Sequence, residues 1–347
     1  MRLFIRRGVF VCLLLVCQCA ATSAQTKSPS GYHVVKQVKL GGEGGWDALA
    51  FDAKGNRLFI SRSTHVMVVD ADTGAMVGDI PDTQGVHDIA LVEDLDKGYT
   101  SNGRASTVTV FDLKTLKVLK QIPVGKNPDA IIYDPASKRV FTFNGASNDA
   151  TAIDAKTDTV AGTIPLGGKP EFAVSDGKGR VYVNLEDKST LVELDSRKLA
   201  VEASWPLAPG KEPSGLAIDR KHGRLFAACS NKLLVVVSAD NGKVLTTLPT
   251  GSGTDGAEFD PGTDLAFSPN GGDATLTVIH EDSPDKFTVL ENVPTQRGAR
   301  TIALDPKKHR IFLITAEFGP PPAPTPERPR PRPSIVPGSF TLLVVGK

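Results

Sequence analysis

The sequence predicts an all-β protein, a seven-bladed β-propeller of four-stranded antiparallel blades, and three observations carry that prediction. A short motif recurs seven times at nearly constant spacing. Between its copies, apolar and polar residues alternate with period two, and Val, Ile, Thr and Phe are enriched. No segment sustains a helical period.

The motif reads Trp46-Asp47-Ala48-Leu49-Ala50-Phe51-Asp52, Pro128-Asp129-Ala130-Ile131-Ile132-Tyr133-Asp134 and Pro213-Ser214-Gly215-Leu216-Ala217-Ile218-Asp219. Further copies start at Pro170-Glu171 and Ala299-Arg300, and looser ones at His87-Asp88 and Thr254-Asp255. The second residue of each copy falls at 47, 88, 129, 171, 214, 255 and 300, so the steps run from 41 to 45 residues. Each copy opens an innermost strand. An Asp/Lys/Gly turn and an aromatic-bearing second strand follow, as in Arg57-Leu58-Phe59-Ile60 and Arg139-Val140-Phe141-Thr142-Phe143. A third strand such as Val66-Met67-Val68-Val69-Asp70 leads through a tight turn to a fourth. One such turn is Ala239-Asp240-Asn241-Gly242, where Asn-Gly supplies the positive φ that a hairpin needs.

Seven starts give seven blades. The last unit supplies three strands, and an unassigned stretch, residues 32–40, precedes the first copy. That stretch is expected to be the missing fourth strand, closing the ring with strands from both ends of the chain and pairing edges an open ring would expose.

Composition agrees with a punctuated chain: 33 Gly and 25 Pro mark turns. The 40 Lys plus Arg against 39 Asp plus Glu exclude the dominant basic surface that coating nucleic acid requires. Residues 1–24 read as an export signal. Arg2, Arg6 and Arg7 precede an apolar run from Val9 to Cys17, and Thr22-Ser23-Ala24 offers a small-residue cleavage site. Nine apolar residues are too few for a bilayer span, which takes about 20. The expectation is a periplasmic or secreted, monomeric protein with one propeller domain over residues 25–347 and no transmembrane segment. Without the leader the chain keeps 37 basic and 39 acidic residues and a single cysteine, Cys229, hence no internal disulfide. Residues 319–337 hold nine prolines interleaved with Arg328, Arg330 and Arg332. Proline cannot donate to a strand ladder, so this is a loop inserted in the last blade, expected to dock another protein, to cap the channel near Glu317, or to act as a solvated spacer.

The second-strand boxes Val140-Phe141-Thr142-Phe143-Asn144, Val181-Tyr182-Val183-Asn184 and Tyr99-Thr100-Ser101-Asn102 resemble the repeat of the YVTN family of β-propellers, which are exported bacterial proteins. Leu58-Phe59-Ile60-Ser61 and Leu225-Phe226-Ala227-Ala228 depart from it. The layout, with a leader and a Pro-rich insertion in the last blade, is similar to the YncE-like group. The resemblance spans essentially the whole mature chain and implies architecture and export. It leaves activity open, because propellers host enzymes, binders and scaffolds alike.

In a propeller, the starts of the innermost strands ring one mouth of the central channel. The topology therefore gathers Trp46, Asp47, His87, Asp88 and Asp129 there, followed by Glu171, Ser214, Asp255 and Arg300. Loops between second and third strands are expected to add Arg62, Asn102, Asn144, Asn184, Asn231, Asn270 and Glu317. A recurring Asp or Asn also serves turns, so Trp46, His87, Glu171 and Arg300, which break the repeat, point more sharply to a ligand. Crowded carboxylates suit a hard cation such as Ca²⁺. No Asp-x-Asp-x-Asp-Gly loop or histidine pair is present, however, and no metal ligands are assigned. No Gly-x-Ser-x-Gly elbow occurs, and Cys229 lacks an evident base, so catalytic residues stay unassigned. The expected function is a binding or interaction module presenting a polar channel mouth to a small ligand, cation or protein partner. The alternative is a lactonase-like hydrolase or lyase at the same mouth, which needs a carboxylate within hydrogen-bond reach of His87 and Arg300.

Overall fold

A computed structural model describes residues 29–325 and 333–347. The expected leader at 1–24 and the middle of the Pro-rich loop lie outside the described residues. Seven four-stranded antiparallel sheets form the ring. In blades one to six the strands follow chain order from channel to rim. Blade seven takes Ile302–Asp305, Arg310–Thr315 and Thr341–Gly346 from one end of the chain and His33–Lys39 from the other. Val38 faces Leu342 and Lys39 faces Thr341 across that last pairing, as the repeat arithmetic requires.

The Asp that ends an innermost strand ties the next turn. Asp52 accepts hydrogen bonds from the backbone N–H groups of Lys54 and Gly55, and Asp305 from those of Lys307 and Lys308. The residue before the second strand is left-handed, as at Asn56, Asp96 and Asp264, where Asn and Asp tolerate the conformation better than most. A second set of Asp residues, including Asp70, Asp112 and Asp154, fastens the outer hairpins in the same way. Much of the recurring Asp in the repeat is therefore turn chemistry.

The apolar core lies between blades. Each pleated face packs on its neighbour: Phe59 of blade one stacks on Phe111 of blade two at 5.7 Å, and Phe226 of blade five on Phe259 of blade six at 5.2 Å. Second and third strands such as Arg224–Cys229 and Leu233–Ser238 are almost wholly buried, at roughly 1.5–3 kcal/mol for each large apolar side chain. Cys229 is buried among them, and burial pushes its thiol up to about 12, consistent with an inert packing residue. Near the channel the inner strands approach closely. A Cβ on Gly215 would stand 2.3 Å from the backbone of Gly256, so only glycine lets blades five and six meet there.

Candidate functional site

The local fold turns the site residues out of the ladder. In blades two to five the pairing of the innermost strand slips, between Val86 and Ile89, Pro128 and Ile131, Pro170 and Ala173, and Pro213 and Leu216. Each slip is a bulge, which re-aims the residues it carries. Those residues include His87, Asp129, Glu171 and Ser214. In blades one, six and seven the ladder begins only at Leu49, Glu258 and Ile302, which leaves Asp47, Asp255 and Arg300 ahead of their strands.

The result is an arc of charge around a mouth cavity of about 330 Å³. His87 Nδ1 donates to Asp47 Oδ2 at 2.7 Å and lies 3.6 Å from Asp129 Oδ1. The other oxygen of Asp47 accepts from Arg300 at 3.2 Å, and Arg300 Nε donates to Asp255 Oδ2 at 2.6 Å. Ser214 donates to Asp255 Oδ1 at 2.7 Å. Across the mouth, Lys169 bridges Glu171, at 2.7 Å, and Glu186. Six carboxylates thus line the mouth (Asp47, Asp129, Glu171, Glu186, Glu212 and Asp255) against three cationic side chains. Asp47, His87 and Asp129 each offer a ligand atom within 4.8 Å of the others, a spacing that could hold a metal ion.

Electrostatics follow from crowding. Burial lowers the affinity of His87 for its proton, yet the hydrogen bond to Asp47 and the charges of Asp129 and Asp47 outweigh it and raise the pKa to about 9. Asp129 is raised to about 6, first by burial, with His87 opposing. Burial and the charge of Asp129 also raise Glu171, against the pull of Lys169. Arg300 is held charged by Asp255 and Asp47 despite its burial.

Other expected site residues sit elsewhere. Asp88 faces into the channel behind the mouth, accepting from the N–H groups of Ile89 and Ile131, with burial raising it to about 7. Trp46 lies beside the mouth, packed on Phe318 and Phe340, with the Arg300 guanidinium 6.0 Å from its ring. Asn144 is buried within blade three and donates to Asp149 and Thr151. Asn102 and Asn270 repeat that bond to paired threonines, so these asparagines pin strand ends. Arg62 is buried, donates to the carbonyls of Gly41, Glu43 and Gly45, and lies 3.6 Å over the Phe340 ring. Lys169 and Glu186 were not singled out by sequence. Lys169 precedes the fourth motif copy, and its neighbour Glu171, where other copies hold Asp, Ser or Arg, was the available signal.

The seven four-stranded antiparallel sheets define a seven-bladed β-propeller. No protein-family model and no curated protein matches the chain. Solved structures do match. A chain of the mitotic checkpoint complex is 12% identical with a TM-score of 0.74, covering 99% of each chain. The WD40 repeats of RRP9 give 8% identity and a TM-score of 0.73 over 92% of this chain and 99% of that one. A chain of the hydrazine synthase of Kuenenia stuttgartiensis is 17% identical with a TM-score of 0.68, covering 85% of this chain and 95% of its own. At such identities the likeness is one of fold alone. Among the described residues no helix is long and apolar enough to cross a membrane.

Proposed function

We propose that this protein is a binding module whose channel mouth captures a positively charged group, carried by a small ligand or by a protein partner. The observation that carries the reading is the excess of carboxylates over cations at the mouth. Burial first, and the neighbouring carboxylates second, raise Asp129 and Glu171, and an incoming amine or guanidinium offsets both. The reading places the protein in the exported YVTN/YncE-like group, supported by the second-strand boxes and by residues 1–24.

Asp47 does lie within reach of both His87 and Arg300, the geometry that a hydrolase or lyase would need. The carboxylates keep His87 protonated at neutral pH, however, which removes it as a general base and favours ion pairing over catalysis.

Calorimetric titration with polyamines, arginine-rich peptides and matched anionic compounds tests the proposal. Cationic compounds are expected to bind, and Asp129→Asn with Glu171→Gln to weaken them about tenfold, with salt sensitivity. Preference for the anionic set, or binding indifferent to both substitutions, would sink it.

A further inference from the structure

On the face opposite the mouth, the repeat is broken by one buried carboxylate. In blades one to five, the residue just after the third strand donates its N–H to the turn before the second strand. Ala71, Leu113, Ala155, Ser196 and Ala239 hold that place in blades one to five. In blade six it is Glu281, whose N–H donates to the carbonyl of Asp264 at 2.9 Å. The position reaches the Asp that ends the innermost strand of the preceding blade. In blade four, Ser196 meets the need there by donating its hydroxyl to Asp134 at 2.7 Å. Glu281 instead sets a second carboxylate beside Asp219.

Two carboxylates in one buried place need a cation between them. In blades one and seven an arginine neutralises the strand-ending Asp, Arg57 for Asp52 and Arg310 for Asp305. Its counterpart in blade five, Arg224, is turned away to the carbonyls of Pro284 and His222. His222 takes the position, with Nδ1 2.7 Å from Asp219 Oδ2 and 2.9 Å from Glu281 Oε1. Glu281 is 5% exposed, and its Oε2 has no hydrogen-bond partner among the described residues. An acceptor so buried and unpaired, on a carboxylate already turned toward His222, has an open demand for a ligand.

We propose that Asp219, His222 and Glu281 form a binding site for a first-row divalent cation of the Zn²⁺ type. The three residues each place one ligand atom within 4.8 Å of the others. Two carboxylates and a neutral imidazole balance the charge of a divalent ion, and one nitrogen with oxygens selects Zn²⁺ over Ca²⁺, which takes six or more oxygens. Bonds of about 2.1 Å require the ligand atoms slightly further apart than the hydrogen bonds now seen, and the imidazole, 25% exposed, has room to turn. His222 also lines an open groove with Arg220, Lys221 and Asp240, which gives an ion a path of entry. Because Glu281 belongs to blade six and the other two ligands to blade five, the ion would bridge two blades.

The test is Zn²⁺ binding to chelator-treated protein, followed by calorimetry and thermal unfolding, with Co²⁺ as a spectroscopic probe. The wild-type chain is expected to take one equivalent at this site, with a rise in Tm and visible d–d bands for Co²⁺. Glu281→Gln and His222→Asn should each weaken binding tenfold or more, since even indirect supports of metal sites cost about 10–100-fold. Glu281→Ser, which installs the residue blade four uses, keeps the fold testable if glutamine perturbs it. Absence of Zn²⁺ binding to the wild-type chain overturns the proposal. So does binding lost in His87→Asn but kept in Glu281→Gln, which would put the ion at the mouth.

Discussion

At the scale of single residues, the mouth is a set of groups that hold each other's protons. His87 is raised to about 9 from about 6.5, and Asp129 and Asp88 to about 6 and about 7 from about 3.8. In each case the folded chain binds protons more tightly than the unfolded one, so stability falls as pH rises through the interval between the two pKa values. The contribution of His87 is fully present below about pH 6.5 and lost by about pH 9, a span worth roughly 3 kcal/mol. Tm is expected to drop across that window, and to drop less in His87→Asn. Proton NMR of the imidazole should show a titration well above the usual histidine range, moving down in Asp47→Asn. A midpoint near 6.5 in the wild-type chain would refute the ion-pair account. This part of the site was half legible in sequence: the exceptions to the repeat named His87, Glu171 and Arg300. The ion-pair partners beside Glu171 were not, because Lys169 and Glu186 reach the mouth through side-chain length and loop path, which spacing does not encode. Asn144 misled for the opposite reason. Its position in the repeat is right, but its amide is claimed by Asp149 and Thr151 inside the blade.

Among elements, the strand His33–Lys39 closes the ring. It supplies the outer edge of blade seven, pairing only with Thr341–Gly346. Tyr32, at its start, is buried, meets the Phe267 ring of blade six at 5.3 Å, and donates its hydroxyl to the carbonyl of His309. Deleting residues 29–40 is expected to lower Tm by more than about 10 °C, because both an aromatic anchor and a strand's worth of ladder are lost. A synthetic peptide of the same residues should restore the transition when added. An unchanged melting curve for the shortened chain would contradict ring closure by this strand. The strands themselves were the most legible feature, since period-two alternation and Asp-Gly turns act locally and recur. The bulges that open the mouth were not. A bulge leaves the alternation of apolar residues intact downstream and shifts only the register against a neighbour, a relation between two strands rather than a property of one.

For the whole molecule, the seven sheets behave as wedges whose apolar faces are complete only against a neighbour, as Phe59 on Phe111 and Phe226 on Phe259 illustrate. That dependence explains why a sevenfold motif with strand periodicity between its copies pointed to the architecture. Export belongs to this scale as well, because the proposed leader precedes every strand in the sequence. Protein recovered from a bacterial periplasm should have the mass of a chain starting at Gln25, and an uncut chain confined to the cytoplasm would refute export. Ring closure finally sets an order of events in time. As the chain is made, each of the first six blades can pair its own four strands within about 45 residues of synthesis. His33–Lys39 is made before all of them and stays single until Thr341–Gly346 arrives, some 300 residues later. The earliest strand is therefore the last to find its place, and a chain interrupted before Thr341 keeps two unpaired edges that mark it as unfinished.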